Sequence, residues 1–143
     1  MEKTRTLLVG ASGLIGNEIF ECISKKNQDI FLLSRRTSDK DQRKFKEIIT
    51  EFDDLDEINL PRIDHVYIAI GKNLDASELL YIRKSNRDNF IKVDCEYVLK
   101  IAKKAFDNGA KSIAIVSAIG ADKNSYNLYL KTKGNMENLI KKI

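Results

Sequence analysis

The chain has 143 residues, of which 43% are hydrophobic and 32% charged, enough apolar material for one domain with one core and too little for two. Its 25 lysines and arginines and 21 aspartates and glutamates are interspersed, so a solvated surface explains them and no nucleic-acid partner is expected. The polar residues 1–5 lead directly into a strand, and no apolar run reaches the length of a membrane span, which predicts a soluble cytoplasmic protein.

Short apolar runs of strand length alternate with helical patterns along the chain. Hydrophobicity is continuous within each run, which indicates strands buried on both faces, as in a parallel sheet covered by helices. This order predicts an α/β fold with a doubly wound parallel sheet and strand order 3-2-1-4-5. The predicted strands are residues 6–9, 30–33, 48–52, 66–70 and 113–116.

Three glycines at fixed spacing follow the first predicted strand. Gly10 allows a sharp turn, Gly13 allows a ligand to approach the backbone closely, and Gly16 allows the next helix to pack tightly on the sheet. The N–H groups and the positive end of that helix favour phosphate oxygens. Glycine-rich turns are common by chance, but a strand before this one and an amphipathic run after it predict a pyrophosphate site.

A basic turn follows the second predicted strand, where the adenosine ribose of a dinucleotide is expected. An acidic residue there would accept hydrogen bonds from a 2′-hydroxyl and repel a 2′-phosphate. The chain instead has the neutral Ser34 followed by Arg35 and Arg36, whose planar guanidinium groups suit a phosphate. The pattern favours NADPH as the cofactor, and the alternative is an ordinary exposed basic turn.

Two helices are predicted in the second half of the chain. The clearer one spans residues 87–108, with one apolar face and Gly109 just beyond it, and connects the fourth strand to the fifth. The other spans residues 127–140. This helix has an apolar flank, and the fifth strand forms the edge of the sheet. Both features predict a twofold homodimer formed through the side of the molecule that carries the fifth strand and the last helix. The flank consists of Leu128, Met136, Leu139 and Ile140.

A serine, a tyrosine and a lysine near the end of the chain have the spacing of a reductase site. Tyr129 and Lys133 are four residues apart and share one helix face, so the ammonium favours the ionised phenol and also reaches the nicotinamide ribose. Ser117, at the end of the fifth strand, is placed to bind a substrate carbonyl that Tyr129 protonates as hydride arrives. A Tyr-x-x-x-Lys pair alone is a common chance pattern; the serine upstream and the dinucleotide turn favour the catalytic interpretation.

Other candidate groups carry less information. Cys22 and Cys95 form no Cys-x-x-Cys pair, and we expect both to be buried thiols in a reducing compartment. The single histidine, His65, is expected to be a strand-edge residue. No spacing of His, Cys and carboxylate residues is typical of a metal site, and no Ser-His pair indicates hydrolysis.

These motifs together resemble the atypical short-chain dehydrogenases, in particular the group of NADPH-binding oxidoreductases around the Tat-interacting-protein type. The resemblance runs nearly end to end and is carried by residues 10–16, 34–36, 52–55, 93–94, 117–122 and 129–137.

The resemblance implies a Rossmann domain and a role for each part of its site. The glycine turn with residues 12–15 would hold the pyrophosphate, the two arginines the 2′-phosphate, and Asp53 the adenine side, although Asp53 and Asp54 are equally well explained as caps of a short helix. Ala69, Ile70 and Gly71 would line the cofactor. The candidate cofactor-binding residues are Gly10, Ser12, Gly13, Leu14, Ile15, Gly16, Ser34, Arg35, Arg36, Asp53, Ala69, Gly71 and Lys133, and the candidate catalytic residues are Ser117, Tyr129 and Lys133.

The chain departs from the family pattern in two places. Lys72 and Asn73 stand where the family commonly has small polar residues, which leaves the cofactor contacts of that loop open. Family members also continue for several tens of residues past the lysine, whereas this chain stops at Ile143. The expectation is therefore that residues 1–143 form a C-terminally truncated NAD(P)-binding Rossmann domain without its substrate segment.

Two functions compete. The leading one is an NADPH-dependent short-chain reductase that acts on a small-molecule carbonyl substrate, or the cofactor-binding part of one. The alternative is a non-catalytic NADPH-sensing regulator that binds a protein partner. The spacing of the serine, tyrosine and lysine favours the first, because a pure binder needs no aligned proton donor, and the missing segment favours the second. A plain interaction scaffold is disfavoured by the placement of Arg35 and Arg36.

Overall fold

The computed structural model describes residues 2–143, which form a five-stranded parallel sheet in the predicted order β3-β2-β1-β4-β5. Parallel neighbours need long crossovers, and helices supply several of them. The strands are β1 (Thr4–Val9), β2 (Gln28–Ser34), β3 (Lys46–Ile49), β4 (His65–Ile68) and β5 (Ser112–Ile115). The helices are α1 (Leu14–Ile23), α2 (Ala76–Leu80), α3 (Lys84–Ile91), α4 (Tyr97–Asp107) and α5 (Leu128–Ile140).

The central strand β1 is buried on both faces, as its continuous hydrophobicity predicts. Leu7 and Val9 belong to one core cluster and Leu8 to the other, because successive side chains of a strand point to opposite faces. The larger cluster includes residues of α4 and α5, and the smaller includes Phe20 and Ile23 of α1. The doubly wound architecture predicted from the sequence is confirmed.

The predicted helix 87–108 is part of a longer helical run over residues 84–107. Its middle, Lys92–Glu96, is a π-helical turn that was not predicted, and it lies between α3 and α4 without a break. Such turns insert an extra residue into a helix and occur often at functional sites. Here the turn contains the buried residues Asp94 and Cys95.

Three local expectations were wrong. The third strand ends at Ile49, because Phe52 begins a 3-10 helix and packs into the core instead of continuing the strand. Met136 was expected on an exposed flank of the last helix, but it is 1% exposed and belongs to the larger core cluster. Cys22 is exposed, whereas Cys95 is buried as expected.

Candidate cofactor and catalytic site

The glycine turn lies at the carboxyl end of β1 and is shaped by two close backbone contacts. Gly10 has φ +91°, and a Cβ there would lie 2.5 Å from the carbonyl oxygen of Ala69. A Cβ at Gly16 would lie 1.9 Å from the carbonyl oxygen of Gly10. Side chains are therefore excluded at both positions, since atoms of the backbone itself occupy the space.

Gly13 has a different environment from the other two glycines. A Cβ there would meet the Gly10 carbonyl oxygen at 3.5 Å, which is ordinary contact distance. Gly13 is also the N-cap of α1 and supplies no side-chain acceptor to the first N–H groups of the helix. Its neighbours Leu14 and Ile15 are 85% and 51% exposed, and Ser12 is exposed too. This side of the turn is therefore open, with amide groups suited to an anion.

The basic turn after β2 is folded back on itself. The Ser34 hydroxyl donates a hydrogen bond to the Arg36 carbonyl oxygen at 2.9 Å. Both arginines are exposed, and the Arg35 guanidinium carbon lies 5.8 Å from the centroid of the Phe52 ring. This cation–π contact holds Arg35 beside the 3-10 helix Phe52–Glu57.

Asp53, predicted on the adenine side, already has two partners. Its Oδ1 accepts a hydrogen bond from the Tyr97 hydroxyl at 2.8 Å and lies 2.7 Å from the Lys92 Nζ. The hydrogen bonds from Lys92 and Tyr97 hold the pKa of the Asp53 carboxyl below its usual range, and the carboxylate raises the pKa of Lys92. The alternative role as a cap is not seen, because Glu51 is the N-cap of the 3-10 helix.

The segment after β4 connects the glycine turn to the π turn. The Ala69 N–H donates to the Val9 carbonyl oxygen at 2.8 Å, which extends the pairing of β4 with β1. A Cβ on Gly71 would lie 3.1 Å from Asp94 Oδ1, and the Lys72 N–H donates to Asp94 Oδ2 at 2.9 Å. Asp94 therefore holds this loop directly.

The lysine of the predicted triad is bound by the same carboxylate. Lys133 Nζ lies 2.8 Å from Asp94 Oδ1, and both side chains are almost fully buried. The ammonium nitrogen is also 6.0 Å from the centroid of the Tyr129 ring, so these two residues of α5 do share one face. The Tyr129 ring packs against Phe90 of α3 at a centroid distance of 6.0 Å.

The serine of the predicted triad has a partner that sequence reasoning missed. The Ser117 hydroxyl donates to Glu137 Oε1 at 2.5 Å. Glu137 lies one turn beyond Lys133 on α5, so residues 129, 133 and 137 repeat at helical spacing. This repeat is the sequence signal that could have identified Glu137 as part of the site. Asp94 also had a signal, because it interrupts the apolar face of its helix and a buried carboxylate needs a partner.

Solved structures of two enzymes have a similar fold. A 3-oxoacyl (acyl-carrier-protein) reductase from Agrobacterium tumefaciens with NADP bound matches with TM-score 0.75 and 15% identity, over 96% of this chain and 62% of that one. UDP-glucose 4-epimerase from Thermotoga maritima matches with TM-score 0.72 and 17% identity, over 96% of this chain and 50% of that one. At these identities the similarity shows the fold alone.

Relatives are also found by sequence. Protein HTATIP2 of Rattus norvegicus is 29% identical over 150 residues, and the mitochondrial protein FMP52 of Candida albicans is 30% identical over 144 residues. The alignments cover 100% and 96% of this chain but only 59% and 61% of the relatives. The resemblance to NAD(P)-binding short-chain dehydrogenases is confirmed. Residues 6–128 match the NAD dependent epimerase/dehydratase family, to which this chain therefore belongs.

Proposed function

We propose that the chain binds NADPH and forms the cofactor half of a short-chain oxidoreductase that reduces a small-molecule carbonyl. The observation that supports this most strongly is an unbroken series of contacts from the glycine turn to the lysine. Gly10 packs against Ala69, the loop at Gly71 and Lys72 is bound by Asp94, and Asp94 is bound to Lys133. The segments that should hold the two ends of a dinucleotide are thus joined at one edge of the sheet.

The residues present fit a nicotinamide dinucleotide. Gly13 leaves room beside the open N-terminus of α1 for a pyrophosphate, and the exposed guanidinium groups of Arg35 and Arg36 suit a 2′-phosphate. Asp94 and Lys133 neutralise each other, so the buried end of the site carries no uncompensated charge.

The proposed chemistry assigns one task to each side chain. NADPH, when bound, supplies the hydride. The Tyr129 hydroxyl donates its proton to the carbonyl oxygen of the substrate, and the Lys133 ammonium binds ribose hydroxyls and keeps the phenol oriented. The Ser117 proton is directed at Glu137, so Ser117 must give up that hydrogen bond before it can donate to a substrate oxygen.

We expect the chain to bind NADPH more tightly than NADH, by about tenfold to a hundredfold, because a charge-assisted phosphate contact contributes about 1.5–3 kcal/mol. Arg35→Ala should remove most of this preference by weakening NADPH binding alone. Isothermal titration calorimetry with both cofactors measures it. Arg43→Ala, which removes an exposed arginine paired with Asp41, is the matched control and should change neither affinity. Equal affinities in the wild type would contradict the NADPH assignment.

A second candidate function is an NADPH-sensing regulator that binds a protein partner without turnover. It is favoured by large apolar side chains that are open to solvent on segments following β4 and β5, where Leu80 is 81% exposed and Ile119 and Tyr126 are fully exposed. Single-turnover oxidation of NADPH with a panel of aldehydes and quinones separates the two functions. Reproducible oxidation with any of them selects the reductase.

The cytoplasmic location stays a prediction. No helix in the part of the chain from residue 2 onward is long and apolar enough to cross a membrane. The yeast relative FMP52 is mitochondrial by name.

The homodimer also stays a prediction, now with a narrower surface. β5 is the last strand of the sheet, and on the neighbouring helix α5 Leu139 is 41% exposed although Met136 is not. We expect multi-angle light scattering to give twice the 16.3 kDa of one chain at high concentration, and Leu139→Asp to restore the single mass. Leu80→Asp, which changes an exposed leucine outside this surface, should leave the dimer intact. A wild type that stays monomeric throughout a concentration series would contradict this prediction.

A further inference from the structure

The connection between β2 and β3 carries the two arginines of the proposed 2′-phosphate site. It runs over residues 35–45 and contains one 3-10 helix, Gln42–Lys44. Its last residue, Phe45, is buried, and the Phe45 ring packs edge to face on Phe20 of α1 at a centroid distance of 5.7 Å. The end that carries the arginines is exposed, so its conformation depends on the few contacts that the connection makes before Phe45.

Lys40 joins the middle of this connection to α1. Its Nζ donates a hydrogen bond to the side-chain oxygen of Asn17 and lies 4.9 Å from the centroid of the Phe20 ring. Lys40 is half-buried, although a lysine on a loop normally extends its ammonium into water. An amide oxygen and an aromatic face replace that water here, so the side chain is held on the helix.

Hydrogen bonds within the connection extend this anchor to the backbone near the arginines. Ser38 Oγ accepts from the Lys40 N–H at 3.2 Å, and the Ser38 carbonyl oxygen accepts from Gln42 Nε2 at 3.0 Å. The Ser38 N–H donates to Glu47 Oε1 of β3 at 2.5 Å. Ser38 lies two residues after Arg36. The arginine pair is therefore followed by a turn that is tied to α1 through Lys40 and to β3 through Glu47.

The arginine pair has a second anchor on its other side. The Arg35 guanidinium carbon lies 5.8 Å from the centroid of the Phe52 ring, so the pair lies between the 3-10 helix Phe52–Glu57 and the turn tied to α1. A phosphate that is bound by two guanidinium groups needs both at fixed positions. A loop that must be ordered on binding lowers the affinity, and a loop that is ordered beforehand does not.

We propose that Lys40 is a positioning residue for the 2′-phosphate of NADPH, because its contacts with α1 hold the connection in the conformation in which Arg35 and Arg36 receive that phosphate. This inference rests on the proposed function, since it assumes that the two arginines bind the 2′-phosphate. NADH has the same pyrophosphate as NADPH but no 2′-phosphate. It follows that Lys40 controls the affinity for NADPH and not the affinity for NADH.

Lys40→Met tests this by removing the ammonium while keeping an unbranched side chain. We expect NADPH affinity to fall by about fivefold to tenfold, as when a loop must be ordered on binding, and NADH affinity to stay within about twofold. Isothermal titration calorimetry with both cofactors measures these affinities. Lys44→Met, which removes an exposed lysine from the same connection, is the matched control and should change neither affinity. Equal losses for both cofactors would show that Lys40 only maintains the fold, and no loss for either would also overturn the proposal.

A second test removes the acceptor instead of the lysine. Asn17→Leu keeps the charge of Lys40 but deletes the oxygen to which its ammonium donates. We expect a loss of NADPH affinity in the same direction, and we expect Asn17→Leu/Lys40→Met to bind NADPH as well as Lys40→Met does, because both residues act through one contact. Losses that multiply in the double variant would overturn the proposal, as would an Asn17→Leu protein with wild-type NADPH affinity. Equal affinities of the wild type for NADPH and NADH would instead refute the proposed NADPH assignment, before any variant is compared.

Discussion

Tyr129→Phe is expected to lower single-turnover oxidation of NADPH by about a hundredfold to ten-thousandfold, because removal of a general acid has effects of that size. NADPH affinity should stay within about twofold, since the ring and its packing against Phe90 remain. Rapid mixing of enzyme, NADPH and a carbonyl substrate, followed by absorbance of the reduced nicotinamide, measures the rate. Calorimetry measures the affinity.

The segment before α5 offers a matched control for this variant. Tyr126 lies three residues before Tyr129 and is fully exposed, so Tyr126→Phe removes the same hydroxyl group without touching the core. Its rate should equal that of the wild type. If Tyr129→Phe kept the wild-type rate, the proton would come from another group. Ser117 and Glu137 would then be the next candidates, because their hydrogen bond already joins a hydroxyl to a carboxyl group.

Features that depend on local backbone geometry were predictable from the sequence. The turn at Gly10 needs a positive φ that other residues rarely adopt, and Gly16 occupies a space already filled by a carbonyl oxygen. The parallel sheet follows because continuous apolar runs indicate strands buried on both faces, and its strand order is the one expected of a dinucleotide-binding fold. The shared face of Tyr129 and Lys133 follows from the pitch of a helix.

Features that depend on how one element packs against another were missed. The apolar pattern of α5 does not tell which of its flanks meets the sheet. Gly134 packs against the loop after β5, where a Cβ would lie 2.2 Å from the Lys123 backbone nitrogen, and Met136 lies in the core. The partner of Ser117 depends on the same packing. The π turn has no simple sequence signature and was missed, although the position of Asp94 on the apolar helix face was a signal that its carboxylate is buried and paired.

Alanine substitutions in the glycine turn should also have large effects. We expect Gly16→Ala to lower mainly the stability of the fold and Gly13→Ala to lower mainly the affinity for NADPH. Gly16→Ala is expected to lower the free energy of unfolding by about 3 kcal/mol or more, because the new methyl group would lie 1.9 Å from the Gly10 carbonyl oxygen and α1 must move away from the sheet. Gly13→Ala should lower it by less than about 1 kcal/mol. Its φ of −78° suits alanine, and the methyl group meets a single atom at 3.5 Å.

For NADPH affinity we expect the reverse order, with the larger loss in Gly13→Ala. The alanine methyl group at position 13 occupies the open side of the turn, where the pyrophosphate is proposed to lie, so Gly13→Ala should lose at least about tenfold in NADPH affinity while its fold is kept. Urea unfolding followed by circular dichroism gives the stabilities, and calorimetry on the folded variants gives the affinities. Each variant is thus the control for the other. A Gly13→Ala protein with wild-type NADPH affinity would place the pyrophosphate elsewhere, whereas a Gly16→Ala protein with wild-type stability would mean that α1 and the sheet have room to separate. These two outcomes are independent, so the experiment tests the structural role of Gly16 and the ligand-binding role of Gly13 separately.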